Sequence, residues 1–314
     1  MKAALIFPGQ GSQFVGMGSD LAKAYPRVRE LFEEADETLG FPISKLCFEG
    51  DAERLTQTRN AQPAILLHSV AVAELLVSDG GFEPVVVAGH SLGEYSALVA
   101  AGVLDPMDAL RIVRKRGELM FEAGIEQPGT MAALIGLERG EADTICGEVT
   151  TPDSIVVVAN VNSPGQIVVS GHVDAVERAM ELASERGAKK TVRLNVSGAF
   201  HSPLVEPAQK ELVSFIEQFS LSGARIDLVC NADAKVVRTR AEIIDALSRQ
   251  LTSPVLWSDS MTRLFELWDG TTIEAGPGRV LKGLARRIDP ARKVETIGTT
   301  DELEKYVAPK VEIV

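Results

Sequence analysis

Cysteine is scarce in this 314-residue chain, which has only Cys47, Cys146 and Cys230. The three are odd in number and far apart, and no Cys-x-x-Cys pair occurs. The sequence therefore indicates neither a disulfide framework nor a zinc site. A reduced, cytoplasmic setting is the simplest interpretation.

An excess of positive charge is also missing. The chain has 32 Lys and Arg against 44 Asp and Glu, a formal net charge of −12. This argues against non-specific nucleic-acid binding, which requires basic side chains to neutralise phosphates. An acidic ligand stays compatible with the sequence, because local patches matter more than the total charge.

No long apolar run predicts a membrane span or a signal peptide. Residues 154–171 are uncharged, but Asn160, Asn162, Pro164 and Gly165 interrupt them and predict two strands joined by a turn. The apolar part of the N-terminus is short and ends at Pro8. We therefore expect no membrane partner.

Short β-like runs alternate with helical stretches over the first 126 residues. Residues 84–88, Pro-Val-Val-Val-Ala, are wholly apolar, as in a strand covered on both faces. Helices are predicted over residues 27–39, 64–76, 94–101 and 105–123. The alternation predicts an α/β-hydrolase-like domain, whose mostly parallel sheet has helices on both faces.

A different order of elements follows in residues 127–197. Strands are predicted over 130–137, 155–161, 166–170 and 190–196, and helices over 141–149 and 174–186. This β-α-β-β-α-β order is the ferredoxin-like pattern. We therefore predict a large α/β catalytic domain, residues 1–126 and 198–314, with an inserted ferredoxin-like small domain, residues 127–197.

Ser91 is the candidate nucleophile. It lies in Gly89-His90-Ser91-Leu92-Gly93, between the apolar strand and a predicted helix, as a nucleophile elbow requires. The alternative is an ordinary serine helix cap. Small residues two positions either side allow a tight turn that exposes the hydroxyl oxygen.

His201 is the candidate base among the four histidines. His68 lies in an apolar helical run, His172 lies at a predicted helix start, and His90 adjoins the nucleophile, where its side chain should point away from the Ser91 oxygen. His201 lies where the chain leaves the small domain and re-enters the large one. Clefts between domains are favoured places for active sites.

Five segments in order carry a family resemblance. They are Pro8-Gly9-Gln10-Gly11-Ser12-Gln13, Gly89-His90-Ser91-Leu92-Gly93-Glu94, Arg114-Lys115-Arg116-Gly117, Phe200-His201-Ser202 and Arg249-Gln250-Leu251. Together they resemble the malonyl-CoA:acyl carrier protein transacylases and the acyltransferase domains of fatty-acid and polyketide synthases. The resemblance covers nearly the whole chain, from residue 7 to about residue 297.

The resemblance implies the catalytic roles. Ser91 would carry the acyl group and His201 would act as general base, oriented by the main-chain carbonyl of Gln250 rather than by an acidic residue. The backbone N–H groups of Gln10 and Leu92 would form the oxyanion hole. No metal or bound cofactor would be needed.

The resemblance also implies the substrate contacts. Arg116 would bind the free carboxylate of a malonyl group through a guanidinium fork. Gln62 matches a position near the site, and Asn160 and Asn162 would line the cleft from the small domain. Phe200 would crowd the extra methyl group of methylmalonyl, giving strong but incomplete selectivity.

The implied activity is ping-pong transfer of malonyl from malonyl-CoA to the phosphopantetheine thiol of acyl carrier protein, in fatty-acid synthesis. The alternatives are a free-standing acyltransferase of a polyketide pathway, a serine thioesterase or other hydrolase, and a non-catalytic carrier-binding protein. The expected partners are malonyl-CoA and acyl carrier protein, and a monomer is expected.

A basic surface is predicted to receive the carrier protein. Lys282 and Arg286 are four residues apart on one helix face, with Arg287 adjacent. Lys189 and Lys190 are placed to flank the other side of the cleft. The alternative is that all five are solvated surface charges.

Overall fold

A computed structural model describes residues 1–306, so residues 307–314 of the predicted large domain lie outside the described part. Ten strands occur in residues 1–306, and they are Lys2–Phe7 (β1), Glu83–Gly89 (β2), Gly129–Ile135 (β3), Val156–Ser163 (β4), Gln166–His172 (β5), Lys190–Arg193 (β6), Asp227–Val229 (β7), Val236–Val237 (β8), Thr272–Ala275 (β9) and Val294–Ile297 (β10). The helices are Ser19–Ala24 (α1), Pro26–Leu39 (α2), Ile43–Glu49 (α3), Ala52–Thr56 (α4), Thr58–Ser78 (α5), Gly93–Ala100 (α6), Pro106–Glu126 (α7), Arg139–Val149 (α8), Val173–Glu185 (α9), Glu206–Ile216 (α10), Arg240–Gln250 (α11), Trp257–Leu267 (α12), Val280–Ile288 (α13) and Thr300–Leu303 (α14).

The main sheet has the strand order β10-β9-β1-β2-β7-β8. All neighbouring pairs are parallel except β7 and β8. Alternate side chains of β1 enter different cores: Leu5 packs with α5, α6 and α7, whereas Ile6 packs with α12 and α13. The sheet is thus covered on both faces, which confirms the predicted mostly parallel α/β architecture.

A second, antiparallel sheet has the order β4-β5-β3-β6. Its element order, β3-α8-β4-β5-α9-β6, confirms the predicted ferredoxin-like pattern. In β3, Ala132 and Leu134 pack against α8 and α9, while Met131 and Ala133 face the opposite side. The division of the chain at residues 127 and 197 into two domains stays a prediction.

Helix α5 begins six residues before the predicted start at residue 64, and Pro63 lies inside it. A proline has no N–H, so the carbonyl of Arg59, four residues earlier, loses its helical donor. Arg114 replaces that donor, since its Nη1 lies 3.0 Å from the Arg59 oxygen. A side chain from α7 thereby satisfies the helix interior.

Helix α5 is also long and apolar enough to cross a membrane by length and composition alone. However, 83% of its apolar 18-residue window is buried inside the protein. The helix packs between the main sheet and α7 as part of the largest core. Its apolar character is explained by this burial.

Two predicted elements near the cleft differ from the structure. The strand predicted over residues 190–196 ends at Arg193, and the next three residues instead line the catalytic cavity described below. The spacing of apolar residues in the sequence also predicts a single helix over residues 203–219. The structure instead has a 3-10 turn, Pro203–Val205, followed by α10. Pro207 lies in the first turn of α10, where a missing N–H costs no hydrogen bond.

Candidate active site

Ser91 lies on the sharp turn between β2 and α6, with a φ of +50°. The turn requires glycine on both sides. A Cβ on Gly89 would lie 2.0 Å from the carbonyl of Gly93, and one on Gly93 would lie 2.1 Å from the Phe7 oxygen. Because no other residue fits at either position, the Gly-x-Ser-x-Gly pattern is explained by close backbone approach.

The Ser91 hydroxyl points at His201, whose Nε2 lies 2.8 Å from the serine Oγ. The other ring nitrogen of His201, Nδ1, lies 3.1 Å from the Gln250 carbonyl oxygen. A carbonyl only accepts, so Nδ1 carries the proton and Nε2 keeps a lone pair toward Ser91. The arrangement provides a serine with an oriented base, and no carboxylate of residues 1–306 bonds the histidine.

Burial keeps this histidine neutral. His201 is 4% exposed, and desolvation together with the nearby Arg116 charge lowers the pKa of its imidazole to about 3. A neutral imidazole is the form that can accept the serine proton. The base is therefore ready in the free protein at neutral pH.

Arg116 reaches the same point from α7 and is 1% exposed. Its guanidinium donates to Gln62 Oε1 at 2.7 Å, to Ser91 Oγ at 3.1 Å and to Gln250 Oε1 at 3.2 Å. Its Nε has no hydrogen-bond partner, and Arg116 forms no ion pair within residues 1–306. A buried cation bonded only to neutral groups leaves room for an anionic ligand.

The site opens into a cavity of about 470 Å³ between the main sheet and the second sheet. Eight of the sequence-predicted site residues line it: Gln10, Ser91, Leu92, Arg116, Asn160, Asn162, Phe200 and His201. Gln62 and Gln250 contact Arg116 from outside the lining. The structure therefore brings together the ten residues singled out for catalysis and substrate contact.

Two backbone N–H groups are available in this cavity. Within residues 1–306, neither the Gln10 nor the Leu92 N–H donates to a protein acceptor. The loop that carries Gln10 lies against the serine turn, because a Cβ on Gly9 would be 2.4 Å from the His90 oxygen. Unused donors beside a nucleophile are what an oxyanion hole requires.

The remaining histidines have other partners. His90 Nε2 bonds Asn162 Oδ1 at 2.8 Å, so its ring does not compete for Ser91. His68 is buried and bonds the Gly298 carbonyl at 2.8 Å. His172 lies at the N-cap position of α9, but its side chain accepts no hydrogen bond from that helix. Its Nδ1 accepts from the Ile155 N–H instead.

Sequence reasoning missed the side chains that hold the turn. Asn231 Oδ1 accepts the Ser91 N–H at 2.6 Å, and its Nδ2 donates to the Gly89 carbonyl at 2.7 Å. A signal for Asn231 did exist: it follows the buried strand β7, and the carboxyl ends of parallel strands share one edge of a sheet. Asn231 lies next to Ser91 because β7 pairs with β2.

The side chains of Gln250 and Glu94 were also missed. Gln250 Nε2 donates to the Ser91 carbonyl at 3.0 Å and to Glu94 Oε2 at 2.7 Å. Glu94 is 2% exposed, and burial raises the pKa of its carboxyl to about 7 against the lowering effect of these bonds. Glu94 belongs to a segment quoted above, but its residue type alone gave it no role.

The five residues of the predicted basic surface lie in two separate places, on α13 and at the start of β6. Lys282, Arg286 and Arg287 are exposed on α13, whose opposite side lines the catalytic cavity. Arg287 also bonds Gln166, another lining residue. Lys189 and Lys190 are exposed at the start of β6 and do not line the cavity.

Comparison with known proteins gives a consistent result. The family model described as acyl transferase domain matches residues 4–302. The malonyl CoA-acyl carrier protein transacylase of Bacillus subtilis is 47% identical over 300 residues, which cover 96% of this chain and 94% of that protein.

Two solved structures have closely similar folds. The acyl carrier protein S-malonyltransferase of Vibrio cholerae matches with a TM-score of 0.93 and 41% identity, covering 97% of this chain and 99% of that one. A malonyl-transacylase in complex with a type II polyketide synthase acyl-carrier protein matches with a TM-score of 0.94 and 41% identity, covering 98% and 99%.

Proposed function

The chain belongs to the acyl transferase domain family, and on that premise we propose that it moves malonyl from malonyl-CoA to the phosphopantetheine thiol of acyl carrier protein. The proposal places this step in fatty-acid synthesis, in a reducing, cytoplasmic setting that keeps the three buried cysteines as free thiols. We propose that the enzyme acts as a monomer.

The Arg116 guanidinium is the observation that carries the choice of substrate. It is buried beside the nucleophile, its hydrogen-bond partners within residues 1–306 are all neutral, and its Nε is unbonded there. An acyl group with a free carboxylate supplies the missing negative charge and two acceptor oxygens. An acetyl group does neither, so the site favours malonyl.

In the first half-reaction the Ser91 Oγ attacks the thioester carbonyl while His201 Nε2 accepts the hydroxyl proton. The Gln10 and Leu92 N–H groups stabilise the oxyanion of the tetrahedral intermediate. When the carbon–sulfur bond breaks, His201 returns the proton to the coenzyme A thiolate. The product is a malonyl ester on Ser91.

In the second half-reaction the phosphopantetheine thiol attacks that ester. His201 accepts the thiol proton and passes it to the Ser91 oxygen as the ester bond breaks. The Gln250 carbonyl holds the same imidazole tautomer throughout and stabilises the transient imidazolium. An ester and two thioesters are close in energy, so the transfer is reversible.

The test is intact mass after incubation with malonyl-CoA alone. We expect one malonyl adduct, mapped by peptide analysis to Ser91 and discharged when acyl carrier protein is added. His201→Ala should slow transfer by about 10²–10⁴, the usual share of a general base. An adduct on another residue, or active turnover without any adduct, would overturn the mechanism.

The matched controls separate transfer from hydrolysis. Ser91→Ala should accumulate no adduct, while His90→Gln, which changes a neighbour bonded to Asn162, should still be acylated. Release of free malonate faster than malonyl carrier protein forms would instead indicate a thioesterase. Parallel assays with carrier proteins of fatty-acid and polyketide synthases identify the pathway.

A further inference from the structure

A second cavity, of about 530 Å³, lies outside the catalytic one, against α3, α4, the start of α5 and α7. Its lining includes four basic residues, Lys45, Arg54, Arg59 and Arg114, and one carboxylate, Asp51. The whole chain has a net charge of −12, so this is a local reversal of sign. Such a cavity favours an anionic ligand.

Three of these cations are not neutralised by the protein. Arg114 pairs with Glu118 at 2.6 Å, but Lys45, Arg54 and Arg59 form no ion pair within residues 1–306. Arg59 donates only to the neutral Gln57 Oε1, at 3.1 and 3.3 Å. The positive charge of the cavity is therefore available to a ligand.

The single carboxylate is already engaged, and the remaining lining is partly apolar. Asp51 Oδ1 accepts the Arg54 N–H at 2.8 Å as the cap of α4. Phe41 contributes an aromatic ring, with the Arg114 guanidinium 4.9 Å from its centroid. A flat aromatic surface beside free cations suits a heteroaromatic base that carries phosphates.

The second cavity adjoins the catalytic cavity. Arg54 lines the former and Thr56, two residues later in α4, lines the latter. Asn60 Nδ2 bonds the Arg54 carbonyl at 2.8 Å, and Thr58 Oγ1 accepts from Gln10 Nε2 at 3.1 Å. Helix α4 and the first turn of α5 thus form a shared wall.

We propose that this second cavity binds the phosphorylated nucleotide of coenzyme A while the thioester lies at Ser91. The inference rests on the proposed function, in which malonyl-CoA is the first substrate. Coenzyme A carries an adenine base and three phosphate groups at one end and its thiol at the other, joined by the flexible pantetheine arm. The arm passes over α4 from one cavity to the other.

The test compares two donors, malonyl-CoA and malonyl-pantetheine, which lacks the nucleotide. Lys45→Ala combined with Arg54→Ala removes two exposed cations, so the variant should fold normally. We expect the KM for malonyl-CoA to rise about tenfold or more, because charge-assisted bonds to phosphate are lost. The KM for malonyl-pantetheine and that for acyl carrier protein should stay unchanged.

A second measurement uses adenosine 3′,5′-bisphosphate as the probe. It should inhibit the wild type competitively against malonyl-CoA and inhibit the double variant several-fold less. The matched control is Arg240→Ala with Lys293→Ala, two exposed cations that line neither cavity. The control should behave as the wild type in every assay.

Three outcomes would overturn the inference. An unchanged KM for malonyl-CoA would show that the nucleotide binds elsewhere. An equal rise in the KM for malonyl-CoA and for malonyl-pantetheine would show that the substitutions act through the catalytic cavity. A rise in the KM for acyl carrier protein alone would show that these cations bind the carrier protein. Wild-type turnover of malonyl-pantetheine tests the proposed function independently of the second cavity.

Discussion

Ser91 and His201 both have left-handed backbones, with φ of +50° and +57°. Among residues 1–306 the only other non-glycine residue with a positive φ is Ala234. Such conformations cost about 1–3 kcal/mol each and persist only where the surroundings impose them. Asn231 bonds the Gly89 carbonyl and the Ser91 N–H, and these bonds hold the nucleophile toward its base against the backbone strain.

The chemistry of Arg116 can be tested at the same scale. Arg116→Ala should lower kcat/KM for malonyl-CoA about 10- to 100-fold, since bonds from a charged group to the substrate carboxylate are lost. Transfer of acetyl should be unchanged or faster, because acetyl has no carboxylate and the buried charge is gone. Initial rates with the two donors give the comparison.

The control is Arg111→Ala on the same helix. Arg111 lies five residues before Arg116 on α7, is exposed and pairs with Asp108 at 3.0 Å. Its loss should leave both rates at the wild-type level. An equal fall in malonyl and acetyl transfer by Arg116→Ala would contradict a carboxylate-binding role.

At the scale of elements, the site is held where three chain segments meet. Glu94 lies in the first turn of α6, Gln250 ends α11, and Asn231 follows β7. Glu94 Oε2 accepts from Gln250 Nε2 at 2.7 Å and from the Asn231 N–H at 3.3 Å. The carboxyl therefore joins the residue that orients His201 to the residue that holds Ser91.

Glu94→Gln should change how stability depends on pH. Burial raises the folded-state pKa of Glu94 to about 7 from an ordinary value of 4.5, so the folded protein binds this proton more tightly than the unfolded chain. The wild type should therefore lose stability relative to the variant as pH rises from about 5 to 8, by roughly 2–3 kcal/mol. Urea unfolding across this range measures the difference.

The difference in stability between the wild type and Glu94→Gln separates the titration of Glu94 from that of the buried histidines. Burial lowers the pKa values of His68 and His201 to about 4 and 3, so their effect has the opposite sign: stability falls as pH drops below 6.5. Both proteins contain these histidines, so their contribution cancels in the difference. Glu266→Gln, an exposed change on α12, is the control, and parallel curves for Glu94→Gln and wild type would refute the assignment.

For the whole molecule, the catalytic cavity opens beside α13. One side of this helix supplies Leu281 and Leu284 to the cavity wall, and the other exposes Lys282 and Arg286. Acyl carrier proteins are generally acidic, and this chain is also acidic. Two bodies of like charge associate through a local patch of opposite sign.

Lys282→Glu combined with Arg286→Glu should raise the KM for acyl carrier protein and flatten its dependence on salt. The rate at which malonyl-CoA acylates Ser91 should not change, because the altered side chains point away from the cavity. Steady-state assays at low and high ionic strength measure the KM for acyl carrier protein. Mass spectrometry of samples quenched at successive times measures the rate of Ser91 acylation. Lys189→Glu combined with Lys190→Glu tests the other predicted flank in the same assays. If the KM for acyl carrier protein at low salt is unaltered in the Lys282→Glu, Arg286→Glu variant, α13 is not the docking face.

The sequence by itself determined the local chemistry. The apolar strand before Gly89, the two glycines around Ser91 and the helix after them specify the elbow, because each feature depends on residues within one short segment. The β-α-β-β-α-β order also followed from local periodicity. Gln62, Arg116 and Gln250 were found through resemblance rather than through pattern, since nothing local distinguishes them.

The tertiary structure decided what meets the elbow. Asn231 is adjacent to Ser91 only because β7 pairs with β2, and Pro63 is tolerated only because Arg114 supplies the missing donor. The second cavity likewise collects cations from α3, α4, α5 and α7. These contacts join residues that are far apart in the chain. Which residues meet depends on strand order and helix packing, and no short stretch of sequence encodes either.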